Sequence, residues 1–242
     1  PIRLEINSTN QVVYNFYDGK VGSVNICDLI PPASPNVKTQ WNATSGIIEI
    51  TTKTVKTTDE TNNSTRITGY NNSIVFKNTT FTKADGTTQF YESFIFGDYL
   101  QATTALPLAF NQLLAICSSG LVYEYNASES LTLTIDPSLI LNEVTPINQP
   151  RVGKIGLDTN KLVYRLYNGV VTSEYFCQSS DPVLPTIKEE WLGVVGGTIE
   201  VTTTTDGPTA FKHTIVFKNV SLGKGNSNFQ LGNNYKYGEL TK

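Results

Sequence analysis

The 242-residue chain has no methionine, one histidine, two tryptophans and three cysteines, and only 16% of its side chains are charged. Each shortage excludes something. With 18 basic against 21 acidic residues the net charge is −3, which leaves no basic footprint for nucleic acid or an anionic membrane surface. Partners are therefore expected among proteins, glycans or small molecules. No apolar run approaches the ~18 residues of a membrane-spanning helix. Nucleophilic triads and most zinc sites use histidine with partners brought close by the fold. The one histidine, His213, lies in the strand-like stretch FKHTIVFKN, where a related stretch has Asn72, and a structural or solvent-exposed role is expected for it. No catalytic, metal or nucleotide motif stands out, so no cofactor is expected. The chain starts at Pro1 without methionine, which suits a processed or trimmed chain, removal of a signal segment being one such route.

What the chain does have is repetition. Thr9 to Cys27 overlies Thr159 to Cys177 without a gap at an offset of 150, with 9 of 19 positions identical. Trp41 then meets Trp191, GIIEITT at 46–52 meets GTIEVTT at 197–203, and IVFKN recurs at 74–78 and 215–219. Self-similarity on this scale points to duplicated folding units. Each copy opens on a hairpin signal, Asp18-Gly19 or Asn168-Gly169, because both central residues of a type I′ turn need positive φ. Alternation places Val12, Tyr14 and Phe16 on one face, as it does Leu162, Tyr164 and Leu166. The following strands put Ile48, Ile50, Ile74 and Phe76 inward in the first copy, and Ile199, Val201, Ile215 and Phe217 in the second.

Two stretches break the repeat. Residues 51–72 are about ten longer than their counterpart, and loops absorb such length cheaply, so an extended hairpin or exposed loop is expected there. Residues 104–148 match neither meander, yet NQLLAICSSGLVYEY echoes the opening hairpin and LTLTID alternates as a strand. A helix at 107–115 is the alternative for the start of this segment. The expected fold is all-β: a tandem duplication of an antiparallel β-sandwich-like domain, 1–103 and 149–242, with 104–148 as a structured connecting segment that packs on one or both copies.

Cys27 and Cys177 are equivalent, and the third cysteine is Cys117. An odd count leaves at least one thiol unpaired. Buried free cysteines acting as small hydrophobes are expected; a disulfide from Cys117 to one of the others is the alternative, and spacing does not choose between them. Glu49 and Glu200, equivalent carboxylates, suit cross-strand ion pairs with Lys77 and Lys218 better than the acid and base of a glycosidase. The oxygen-rich loops TTDETNN (57–63) and LDTN (157–160) lack the regular spacing of a calcium loop, and turn chemistry accounts for them. N-x-S/T triplets, among them those at Asn7, Asn42, Asn63, Asn71, Asn78, Asn126 and Asn219, would suit a glycosylated eukaryotic ectodomain, but a composition rich in Asn, Ser and Thr generates them freely and is the better account.

Trp41 and Trp191 are the candidate ligand-binding residues, since an exposed rigid ring can stack on a sugar or anchor a protein. A tryptophan repeated in two copies of a β fold is more often a core plug. The tyrosines near the copy ends, Tyr91, Tyr99, Tyr235 and Tyr237, suit strand packing.

The hairpin YDGKVGSVNIC with its counterpart YNGVVTSEYFC, the segments EEWLGVVGGTIEVTTTT and IVFKN, and the Asn- and Thr-rich strands together resemble uncharacterised secreted lipoproteins of Bacteroidetes-type bacteria. The resemblance implies an envelope location, with a lipidated cysteine upstream of Pro1 as the only link to a membrane, and carries no catalytic residues. The expected function is that of a non-enzymatic, extracytoplasmic protein that binds or presents a surface to a protein or glycan. The alternative is a polysaccharide-active hydrolase with carboxylates between the copies.

Overall fold

The computed structural model describes residues 1–30, 32–110 and 113–242. It is nearly all β. The strands are β1 (Ile2–Glu5), β2 (Val13–Tyr17), β3 (Val37–Asp59), β4 (Ser64–Thr82), β5 (Thr88–Ala102), β6 (Ala115–Ile116), β7 (Leu121–Tyr125), β8 (Glu129–Thr134), β9 (Arg151–Lys154), β10 (Lys161–Tyr167), β11 (Ile187–Gly193), β12 (Thr198–Asp206), β13 (Ala210–Lys224) and β14 (Ser227–Thr241). Helical structure among the described residues is limited to single turns at Val24–Cys27, Pro137–Ile140 and Ser173–Tyr175. Two compact units are formed, one from residues 1–54 and 69–102, the other from 55–68 and 103–242.

In the second unit, period-2 alternation builds two layers. Ile199 and Val201 on β12, with Ile215 and Phe217 on β13, are wholly buried, while β13 pairs along β12 and β14. The other layer runs β6-β7-β8-β10-β11 and buries Leu131, Leu133, Leu162 and Tyr164. The layers are joined where β11 meets β13 at Leu192↔Gly223 and Gly193↔Leu222. Tyr237 shows that they face each other: it is carried by β14, yet its hydroxyl donates to the carbonyls of Val122 on β7 (3.0 Å) and Leu131 on β8 (2.8 Å). It is also the extra residue of a β-bulge, between the pairs Ile215↔Gly238 and Val216↔Lys236. Bulges commonly re-aim a side chain. Gly238, at φ 158°, supplies backbone freedom that a β-carbon would restrict.

The first unit has the order β1-β3-β4-β5, with β2 also pairing β3. Its pairings recur in the second unit at the sequence offsets noted above. Tyr14↔Trp41 answers Tyr164↔Trp191, Glu49 sits on the strand beside β1 as Glu200 sits beside β9, and Phe96 is the extra residue of the bulge beside Gly97.

The two stretches that break the repeat resolve differently. Residues 51–72 form an extended hairpin, the ends of β3 and β4 around the turn at 60–63. Its tip belongs to the second unit: Asn233 N–H donates to the Asn62 carbonyl at 2.8 Å, and Gln230 N–H to Thr65 Oγ1 at 2.8 Å. Residues 104–148, expected as a connecting segment, supply β6, β7 and β8 to the same sheet as β10. The alternative of a helix at 107–115 is not present among its described residues. Asn111 and Gln112 lie outside those residues, and Ala115 already begins β6. Pro31, in the expected proline-rich connection, also lies outside them.

Candidate functional site

The two candidate tryptophans have different surroundings. Trp191 is 4% exposed. Its ring meets Phe229 edge-on at 5.2 Å and its indole N–H donates to Glu189 Oε2 at 3.0 Å. A sugar has no access to that ring. Trp41 is half-buried, grouped with Phe16 at 5.0 Å and Tyr14 at 5.9 Å, and Lys83 Nζ lies 4.9 Å from its ring centroid. A lysine over an aromatic face is a favourable cation–π contact and occupies much of the surface that sugar stacking would use.

The same contrast extends across the aligned positions. Tyr164 is 0% exposed and Tyr14 43%; Tyr237 is 2% exposed and Phe96 63%. The rings themselves are arranged alike: Phe217 stacks with Tyr235 at 6.1 Å and Tyr237 at 4.9 Å, and Phe76 with Phe94 at 6.0 Å and Phe96 at 5.2 Å. What differs is the covering layer. In the second unit β8 pairs β10 along Leu131↔Tyr164, and in the first no described strand lies along the corresponding side of β2. Phe96 and Tyr99 on β5 are consequently exposed where their counterparts Tyr237 and Leu240 are buried, and Ile95 and Leu100 are exposed beside them, a concentration of apolar side chains of the kind that marks interaction surfaces.

The cysteines follow the same division. Cys117, beside β6, is bonded to Cys177; Cys117 is buried in a cluster with Tyr123, Tyr167, Val171, Tyr175 and Phe176, while Cys177 is exposed. The ring of Phe176 stacks on Tyr123 of β7 at 4.4 Å. Cys27 is free but exposed, and its neighbour Ile26, at the position of Phe176, is 69% exposed. The expectation of buried free cysteines is thus corrected on both counts. The β6–β7 turn that brings the buried sulfur of Cys117 to Cys177 has no counterpart beside Cys27 among the described residues.

The carboxylates are paired for structure. Glu200 reaches Lys218 at 3.4 Å, across the strands as expected. Glu49 instead accepts from Arg3 at 2.8 Å, because β1 sets Arg3 directly opposite it; Lys77 donates to Ser93 Oγ at 3.0 Å. A cleft of about 510 Å³ in the first unit contains Arg3, Glu49, Lys77 and Glu92. The Arg3 hydrogen bond holds the Glu49 carboxyl below its ordinary value, the wrong direction for a general acid. Asp59 accepts from Thr61 N–H and Oγ1 and from Asn62 Nδ2, the turn chemistry expected of that loop. No group of three or more metal-ligating side chains occurs among the described residues.

The buried titratable groups of the second unit include His213, Glu124 and Glu129, and of these three the sequence singled out only His213. It is 0% exposed, with Nδ1 2.8 Å from Thr203 Oγ1 and Nε2 unpartnered, and burial lowers its pKa. Glu124 was not distinguished. Burial pushes its carboxyl up to about 8, opposed by the Tyr235 hydroxyl at 3.5 Å. Glu129, also buried, is fully partnered by Tyr164 O–H, the Leu108 and Ala109 amides and Asn126 Nδ2. No family model, curated protein or solved structure matches the chain.

Proposed function

We propose that the chain is a non-enzymatic, extracytoplasmic protein built from two copies of one β unit, and that it presents the uncovered face of the first copy to a protein partner. One observation carries this: aligned positions that the second unit buries, Tyr164, Tyr237 and Phe176, are exposed in the first as Tyr14, Phe96 and Ile26. Rigid aromatic rings on an exposed face make effective protein anchors. The Cys117–Cys177 disulfide supports an oxidising compartment, since such bonds persist outside the cytosol. No helix among the described residues is long and apolar enough to cross a membrane, and the protein is proposed to be secreted or held at the envelope.

A glycan partner is the second reading, favoured by the half-buried Trp41 with Tyr14 and Phe16 around it. A photo-reactive phenylalanine analogue at Phe96, compared with one at Val183 of the second unit, separates the two. Polypeptide adducts from a cell-envelope fraction at Phe96 alone are expected. Equal adducts at both positions, or retention on a glycan array that Trp41→Ala removes, would overturn the protein-partner assignment.

A further inference from the structure

The free edge of β2 can be followed amide by amide. Val12 O accepts from Ala43 N–H, and Val13 pairs with Asn42 and Tyr14 with Trp41. In an antiparallel ladder alternate residues exchange hydrogen bonds with one neighbour. Val12, Tyr14 and Phe16 therefore bond to β3, and the backbone groups of Val13 and Asn15 point the other way. On β10 the matching groups are used. Tyr167 N–H donates to the Ser128 carbonyl at 2.8 Å, and Val163 and Arg165 lie opposite Thr132 and Ser130 of β8. The hairpin that supplies β8 also supplies Cys117, the partner of Cys177. Among the described residues the first unit thus has both acceptor features, an unpaired strand edge and an unpaired cysteine at the position of Cys177, and neither donor.

We propose that the edge of β2 and Cys27 form one acceptor site, filled by a cysteine-bearing β-hairpin of another polypeptide that pairs with β2 and is locked by a disulfide to Cys27. The proposal rests on the protein-partner reading above and names the class of partner. A second copy of this chain is poorly suited as donor. Its own hairpin of this design is already paired with β10, and Cys117 is already bonded. Strand addition supplies affinity through main-chain hydrogen bonds and specificity through alternate side chains. The occupant should accordingly carry apolar residues at alternate positions, as Leu131 and Leu133 lie opposite Tyr164 and Leu162.

The covalent step is thiol–disulfide exchange with a small-molecule disulfide as oxidant. The Cys27 thiolate attacks one sulfur of the small disulfide and one small thiolate leaves. The hairpin thiolate then attacks Cys27 of the mixed disulfide and releases the second. Two protein thiols are oxidised to one disulfide, the small disulfide is reduced to two thiols, and the two cysteine protons end on those thiols.

The chain's own hairpin provides a probe. A synthetic peptide of residues 113–136, which includes Cys117, is added to the intact protein in a buffer of glutathione and glutathione disulfide. The adduct is mapped by digestion and mass spectrometry, and β2 is followed by hydrogen exchange. A peptide adduct at Cys27 is expected to form about tenfold faster than with a scrambled peptide of the same composition, with slowed exchange at the Val13 and Asn15 amides, as strand pairing requires. Val13→Pro removes one outward amide and leaves the β3 ladder intact, since edge strands tolerate proline; it is expected to lower the rate to that of the scrambled peptide. Equal rates for the two peptides, or unprotected β2 amides, would overturn strand addition. Dimers of the chain alone that link Cys27 to Cys27 and already protect β2 would make a second copy the occupant and overturn it too. If the peptide fails while polypeptide adducts still form at Phe96, only the strand-addition site is lost; if both fail, the protein-partner reading goes with it.

Discussion

Tyr237 and Phe96 occupy the same bulge position in the two units, so truncating each to alanine tests the claim that one face is covered and the other is not. Tyr237 is 2% exposed, lies 4.9 Å from Phe217, and donates to two carbonyls of the facing layer. Removing a buried aromatic ring costs about 3–5 kcal/mol, and its hydrogen bonds add about 1 kcal/mol more. Tyr237→Ala is therefore expected to cost about 4–6 kcal/mol in the second unit, and Tyr237→Phe about 1–3 kcal/mol. Phe96 is 63% exposed and keeps one ring contact, with Phe76 at 5.2 Å. Its truncation is expected to cost about 1 kcal/mol, the worth of an aromatic pair. Urea unfolding followed by tryptophan fluorescence separates the units, because Trp41 lies in one and Trp191 in the other. Tyr237→Ala is measured in a Trp41→Phe background and Phe96→Ala in a Trp191→Phe background. Equal losses for the two alanine variants would refute the reasoning, since Phe96 would then have to be covered in the free protein.

Trp191→Ala is expected to cost about 3–5 kcal/mol in the second unit, and Trp41→Ala clearly less in the first, read from the corresponding melting temperatures. Removing the bond between Cys117 and Cys177, 60 residues apart, with the double alanine variant is expected to cost about 4 kcal/mol by the loop-entropy relation; calorimetry should show the second unit's transition lowered and the first unit's unchanged. Stability should also depend on pH through two groups of opposite sign. Glu124 has a folded value of about 8 against an ordinary 4.5, so the native state holds the extra proton. Its contribution is complete below the lower value and falls by about 1.4 kcal/mol per pH unit as pH rises toward the upper. His213 is lowered from 6.5, so the unfolded chain takes up the proton first and stability falls as pH drops below that value. Unfolding free energy measured from pH 5 to 8 should lose its decline above 6.5 in Glu124→Gln, and lose the acid-side fall in His213→Asn. A flat wild-type profile above 6.5 would show that Glu124 is ionised in the folded protein.

Strands were legible in part: the Asp18-Gly19 and Asn168-Gly169 hairpins expected from turn chemistry are not formed, because single helical turns follow at Val24–Cys27 and Ser173–Tyr175 and β2 and β10 pair instead with β3 and β11. IVFKN alternates, and Phe76 and Phe217 are both buried. Asp59, Thr61 and Asn62 form the turn their side chains suggest. What a strand faces was not legible, because alternation gives a strand two faces without saying what lies against either. Tyr14 and Tyr164 read identically, yet only Tyr164 has β8 beside it. A signal was available: NQLLAICSSGLVYEY and LTLTID had no aligned counterpart for the first copy, and Cys117 had none either. The Glu49 ion pair was assigned to Lys77 because β1, four residues long, carried no pattern that placed Arg3 opposite it. Glu124 in LVYEY carried no signal of its own, and the Tyr235 hydroxyl that faces it belongs to β14, more than 100 residues later in the chain.

The second unit is completed by two pieces of chain that precede β9, and this gives the fold a direction. One is the β6–β8 hairpin along β10. The other is the tip at 55–68, whose Asn62 carbonyl and Thr65 hydroxyl meet amides of β14, and whose Arg66 guanidinium lies 5.8 Å over Phe229. The extra ten residues of the first copy at 51–72 are what lets β3 and β4 extend that far. The corresponding turn of the second copy, between β12 and β13, is short and ends at Ala210. In the first unit neither β2 nor β5 has a described strand on its far side. Proteins blunt such edges with short strands, lysine or proline; the β5 stretch FYESFIFGDYL instead carries five aromatic rings over about ten residues. An edge of that composition is costly to leave open, whereas in the second unit β8 closes the edge of β10 that corresponds to the open edge of β2.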